Sequence, residues 1–176
     1  LNKTSGEMFA LTDATAGANV WYNVGGGTGD VQPWTFQGSI SGYTMGGVSS
    51  TTIDKFSLTS DANATDAGDL TVARESIAGS KSITHGYASG GGSPISDVIE
   101  KFTFAVDANS TDVGNLTVAR TSVAGQCSAT HGYTSGGTVG GTPASGNRNI
   151  IDKFTFASDA NATDVGDSTI ARTHSS

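Results

Sequence analysis

The sequence repeats itself, and near-identical units that are too small to fold alone bury a core by stacking on one another. Ile53-Asp54-Lys55-Phe56-Ser57-Leu58 returns as Ile99-Glu100-Lys101-Phe102-Thr103-Phe104, and again as Ile151-Asp152-Lys153-Phe154-Thr155-Phe156. The spacing is 46 residues, then 52. A second block follows each copy, at 64–74, 110–120 and 162–172, and closes on Arg74, Arg120 and Arg172. A third, Thr84-His85-Gly86-Tyr87-Ala88-Ser89-Gly90-Gly91, returns as Thr130-His131-Gly132-Tyr133-Thr134-Ser135-Gly136-Gly137. A degenerate copy is Ser41-Gly42-Tyr43-Thr44-Met45-Gly46-Gly47.

The six extra residues of the longer period fall in one connection, 138–149, which is Gly- and Ser-rich. Length variation confined to one connection marks a surface loop. Elsewhere the hydrophobic period is two. Phe56 and Leu58 alternate with Lys55, Ser57 and Thr59, and Leu70 and Val72 alternate with Thr71 and Ala73. That is the pattern of half-buried strands. No window carries a helical stripe. Each unit is therefore expected to hold four strands: a small-residue strand such as 122–128, a His-Gly-Tyr strand stopped by Gly-Gly, an Ile-x-Lys-Phe strand, an Asp/Asn turn, and a Leu-Thr-Val-Ala-Arg strand.

Four short strands in about 46 residues is the size of one propeller blade. The units resemble kelch repeats, with Gly90-Gly91, Phe102 and Arg120 in the family's order. The fourth-strand Trp of that family is missing here, so the likeness is to a kelch-like unit, over about residues 39–172. The resemblance implies an all-β fold of four-stranded antiparallel blades in a larger propeller. About three repeats fill 39–176, with boundaries near 74, 120 and 172. Propellers hold roughly 4–8 blades, so either more blades lie in a longer chain or another chain completes the ring. Residues 1–38 hold both tryptophans, Trp21 and Trp34, and read as a divergent partial blade or the end of a preceding domain.

Composition excludes several partners. The net charge is −7, with no basic stripe to neutralise phosphates, which excludes nucleic acid as the expected partner. It also argues against an electrostatic membrane anchor. No apolar run is long enough for a membrane-crossing helix. The start, Leu1-Asn2-Lys3-Thr4, lacks a Met and a signal peptide's apolar core, so the chain looks processed or cut from something longer. The single cysteine, Cys127, has no internal disulfide partner and is expected to be a small strand residue equivalent to Ser80 or Ser82, give or take one residue.

Candidate chemistry concentrates in the repeated acidic segment, 61–69, 107–115 and 159–167. Alternating oxygen ligands with a nearby Gly suit Ca²⁺, but the segment lacks a terminal bidentate Glu. Asp, Asn and Gly are also turn formers, and a structural turn is the preferred reading. Asn2, Asn63, Asn109, Asn115 and Asn161 stand in Asn-x-Thr sequons, which a Thr-rich repeat also produces by coincidence. His85 and His131 are repeat-equivalent, but no Cys, Glu or third aligned His joins them; His174 stands elsewhere in the repeat. They are expected to be strand-end residues bonded to a loop. Arg74, Arg120 and Arg172 suit either a ring around an anion or, preferably, pairing between units with Asp66, Asp112 or Asp164. The Gly-rich run 25–29 lacks the Lys and helix of a phosphate loop.

No catalytic, cofactor-binding or metal-binding residue is assigned, because a catalytic constellation normally breaks a repeat's symmetry. The His-Gly-Tyr and Ile-Asp-Lys-Phe blocks are similar to repeats in marine bacteriophage structural proteins. That resemblance implies a non-enzymatic structural or adhesive role in a virion, such as a tail fibre, appendage or capsid-associated protein. It implies extracellular or virion placement, with other subunits as partners and a host-surface glycan as a further one. The alternative is a secreted carbohydrate-binding propeller or a fragment of a kelch-type oxidase.

Overall fold

A computed structural model describes residues 9–13, 20–23, 40–140 and 146–173, with side chains from residue 40 onward. Trp34, the run 25–29, Asn2, His174 and positions 141–145 of the long loop lie outside the described residues, as does the Trp21 side chain. Every named element is a strand. The chain divides into two compact units, residues 1–37 and 38–176. In the first, β1 (Phe9–Asp13) pairs antiparallel with β2 (Val20–Asn23).

The second unit holds three antiparallel sheets, one for each copy of the Ile-x-Lys-Phe block. The first is β3 (Ser41–Met45), β4 (Thr52–Ser57) and β5 (Thr65–Asp69). The middle sheet is β6 (Ala78–Lys81), β7 (His85–Ser89), β8 (Val98–Thr103) and β9 (Thr111–Asn115). The last is β10 (Ala124–Cys127), β11 (His131–Ser135), β12 (Arg148–Thr155) and β13 (Thr163–Arg172). In each, strands adjacent in sequence are adjacent in space, so short local turns suffice.

The repeated residues fix the same register three times. Gly42, Gly86 and Gly132 stand opposite Phe56, Phe102 and Phe154. The Phe ring lies over the glycine so closely that a Cβ there would meet ring carbons at under 3.0 Å. Only a residue without a side chain admits the ring at that position. β3, β7 and β11 then each stop at a glycine pair with positive φ, 65° and 118° at Gly90 and Gly91. Side chains rarely adopt such angles.

The core lies between sheets. Ile53, Leu70, Ala88 and Phe102 form one buried cluster, with Tyr43, Met45, Ile77 and Phe104 packed against it. Tyr87, Ile99, Leu116, Phe154 and Ala162 form the second, with Val113 and Phe156 against it. Both clusters mix residues of consecutive repeats, as stacked units require. Tyr43 stacks on Phe104 at 5.1 Å between ring centroids, and Tyr87 repeats the contact on Phe156 at 4.8 Å. The small-residue strands meet as closely: a Cβ on Gly125 would strike the Gly79 backbone, and Ser80 Oγ donates to the Gln126 carbonyl at 3.2 Å.

One expected strand is displaced. The acidic segment turns only over its first half, 61–64 and 107–110; its second half is a strand, β5 or β9, and Leu-Thr-Val-Ala-Arg lies beyond it in irregular backbone. The Thr71 and Thr117 amides explain this, because they donate to carboxylates of the neighbouring sheet rather than to a ladder. In the last sheet, where no such acceptor stands among the described residues, β13 runs on to Arg172.

Candidate functional site

The residues that recur most faithfully converge on the seams between sheets. Arg120 ends the segment after β9 and enters the last sheet. Its Nη1 donates to Asp152 Oδ2 at 2.8 Å, its Nη2 to the Thr134 carbonyl at 2.9 Å, and its Nε to the Gly136 carbonyl at 2.9 Å. Thr117 adds its backbone amide and its hydroxyl to the same Asp152 carboxylate, at 3.1 and 2.7 Å. One seam earlier, Arg74 pairs with Glu100 and donates to the Gly90 and Val98 carbonyls at 2.9 and 3.0 Å. Thr71 and Ser110 complete the set on Glu100.

Both ion pairs are sealed from solvent, with side-chain exposures of 1% and 0% in one and 0% and 0% in the other. Burial lowers the Arg74 pKa, and the charge and hydrogen bond of Glu100 act against that. A buried pair holds when further hydrogen bonds satisfy both ions; Arg120 and Asp152 meet that condition, whereas Arg74 keeps a buried Nε without a hydrogen-bond partner among the described residues. The expected partners, Asp66, Asp112 and Asp164, are not the ones used. Each accepts instead from the backbone amide two residues on, at Gly68, Gly114 and Gly166, at 2.9, 3.1 and 2.9 Å. The acids that pair are Glu100 and Asp152, inside the Ile-x-Lys-Phe block. Their place on the sheet face toward the preceding repeat was the missing signal.

The acidic segments dock on the preceding sheet. Ser110 N donates to the Asp69 carbonyl and Ala162 N to the Asn115 carbonyl, each at 2.8 Å. Asn109 Oδ1 accepts from Asp69 N at 3.1 Å, and Asn161 Oδ1 from Asn115 N at 3.0 Å. Lys55 reaches Asp107 at 2.9 Å and Lys101 reaches Asp159 at 2.6 Å. Of the oxygens that suggested a Ca²⁺ loop, those of Asp66, Asp107, Asn109, Asp112, Asp159, Asn161 and Asp164 accept from amides or lysines. Among the described residues no group of three or more His, Cys, Asp or Glu stands together as a metal site. The sequon residues Asn63, Asn109 and Asn161 are exposed, and the last two also hold adjacent sheets together.

His85 and His131 each bond through Nδ1 to the hydroxyl of the preceding threonine, Thr84 and Thr130, at 2.8 Å. Partial burial lowers the His85 pKa, Lys101 adds to that, and Asp159 opposes it. Burial raises the Tyr87 pKa. Cys127 ends β10 and is exposed, at the register position that Lys81 holds in the middle sheet, between Ser80 and Ser82 and within one residue of both. The long loop is anchored at both ends, with Thr138 bridging to Thr121 and Asn147. Arg172 is exposed, unlike Arg74 and Arg120. No helix among the described residues is long and apolar enough to cross a membrane. No protein-family model matches the sequence, and no curated protein is significantly similar to it.

Proposed function

We propose that the three sheets are kelch-like blades of a β-propeller, and that the protein is a non-enzymatic structural or adhesive component of a phage-type virion. In that role it is a rigid scaffold that meets other subunits, and its variable loops meet a host surface glycan. The observation that carries this reading is the use made of the repeated residues. The recurring Arg, Asp/Glu, Thr, Asn and Lys side chains join one sheet to the next. The repeat thus serves cohesion, and its length varies in the loop 138–149, where a surface can change without disturbing the seams. Near-identical seams repeat the same contacts from one sheet to the next, as a stiff array requires.

The test is an image of the native particle labelled with antibody against this chain, together with a glycan-binding screen of the purified protein. Labelled particle appendages are the expected result. A freely secreted protein that binds glycans and labels no particle would overturn the virion reading in favour of a lectin.

A further inference from the structure

The two seams inside the three-sheet unit are built alike except at one titratable position. In each, a tyrosine stacks on a phenylalanine of the next repeat, Tyr43 on Phe104 and Tyr87 on Phe156. The lysine opposite that tyrosine takes an aspartate of the next acidic segment, Lys55 with Asp107 at 2.9 Å and Lys101 with Asp159 at 2.6 Å. Behind the aspartate a backbone amide docks the segment, Ser110 N on the Asp69 carbonyl and Ala162 N on the Asn115 carbonyl, each at 2.8 Å. Two residues before the tyrosine the seams part: the first has Ser41 and the second has His85.

Alternate residues of a strand share a face, so His85 lies on the face of β7 that carries Tyr87 and meets the last sheet. It stands opposite Thr103, a diagonal step from Lys101 on β8. Its Nδ1 is held by the Thr84 hydroxyl at 2.8 Å, and its ring centroid lies 6.5 Å from that of Tyr87. Lys101 and Asp159 are the charged groups that act on it. These two already neutralise each other across the seam, so a proton on His85 sets a second cation beside a satisfied pair. Burial also disfavours that proton, and burial is the larger effect. Lifting the acidic segment returns His85 to water and lets the Lys101 ammonium swing away. Of the influences on His85, lifting forfeits only the pull of Asp159, the smallest of the three. Protonation therefore favours the lifted segment.

We infer that the seam between the middle and last sheets is a pH-sensitive latch, in which His85 releases the acidic segment 157–162 on mild acidification while the Ser41 seam stays shut. The inference goes beyond the scaffold reading above and rests on the seam contacts alone. Above the ordinary histidine value of 6.5, His85 is neutral in both arrangements and the latch is closed. As pH falls through 6.5 the lifted form takes up a proton that the docked form resists, so opening grows. One proton bounds the effect: at one pH unit below the free value the balance has moved by up to about tenfold.

The experiment follows amide exchange by NMR in the whole chain from about pH 7.5 to about pH 5.5, the range in which histidine titrates. Each rate is expressed as a protection factor, which removes the pH dependence of exchange itself and leaves the local opening. Protection of the Ala162 amide is expected to fall by up to about tenfold, while that of the Ser110 amide holds. His85→Ser gives the second seam the residue of the first and is expected to keep Ala162 protected throughout. Ser41→His makes the reverse swap and is expected to give Ser110 a fall of its own. A loss shared equally by both amides, no loss at either, or a loss at Ala162 that survives in His85→Ser overturns the inference. Protection that rises on acidification also overturns it, because protonated His85 would then anchor Asp159. Should His85→Ser misfold, Ser41→His decides: no acid-dependent loss at Ser110 overturns the latch.

Discussion

Arg120 follows the middle sheet and Asp152 lies in the last, 32 residues apart, yet their side chains meet at 2.8 Å with neither exposed to solvent. The aspartate also accepts from Thr117 twice, and the guanidinium also serves three backbone carbonyls, of Val118, Thr134 and Gly136. Cutting one partner from such a pair strands a buried charge, at a cost of about 3–5 kcal/mol. Arg120→Met and Asp152→Leu are each expected to lose that much in urea unfolding. The double variant is expected to lose less than the sum of the two, with a coupling of about 0.5–3 kcal/mol. Arg120→Lys is expected to recover little, because one ammonium does not reproduce a planar fork that serves four acceptors. Strict additivity would show that the pair does not hold the seam.

The Gly86–Phe102 contact gives a second expectation. A methyl at residue 86 meets the ring at under 3.0 Å, and both residues are buried. Overpacking of this kind costs about 1–3 kcal/mol. Gly86→Ala is expected to lower stability by that amount, and Gly86→Ala with Phe102→Leu to regain part of it. Gly86 needs no left-handed backbone, so the cost is one of space. Equal stability of Gly86→Ala and the parent chain, by thermal melting, would count against the ring's position.

Much of the fold was legible because the repeat marks its own register. Three copies of Ile-x-Lys-Phe foretold three strands, and β4, β8 and β12 contain them, although the first sheet holds three described strands rather than four. The glycine pairs marked where β3, β7 and β11 end, and residues 138–149 marked the loop. The fourth strand was misplaced because period-two alternation in Leu70–Val72 and Leu116–Val118 looks like a strand from sequence alone. What decides the backbone there is a carboxylate arriving from the next sheet. The same blindness hid the partner of the arginines. Asp66, Asp112 and Asp164 are nearer in sequence to Arg74, Arg120 and Arg172, but their carboxylates cap glycine amides within their own strand. The acids that pair stand beside a lysine in a strand that reads as half exposed. Contacts between repeats are long-range facts, and a single repeat read alone does not contain them.

His85 sets a pH response. Its pKa is depressed below 6.5, chiefly by burial, with Lys101 adding to the effect. The folded chain therefore binds a proton at His85 less readily than the unfolded chain does. By linkage the stability this histidine allows is complete above the unfolded value of 6.5, and it falls as pH drops through that value toward the folded one. Thermal melts from about pH 7.5 to about pH 5.5, the range in which histidine titrates, are expected to show a declining midpoint. His85→Gln is expected to flatten part of that decline. An identical slope in the variant would show that the histidine's environment is the same in both states.

Asp112 separates the two meanings of the acidic segment. Its Oδ1 accepts from Gly114 N at 3.1 Å, which shapes the backbone that meets the next sheet at Ala160. A hydrogen bond of this kind contributes about 0.5–1.5 kcal/mol. Asp112→Ala is expected to lower stability within that range, and Asp112→Asn to keep most of it, since the amide oxygen can still accept. Calcium titration is expected to leave the melting temperature unchanged in all three chains, because the neighbouring oxygens of Asn109, Asp159 and Asn161 already accept from amides or lysine across the seams. A rise with calcium in the parent chain that vanishes in both variants would make the segment a metal loop, and its amide contacts the resting arrangement of the empty site.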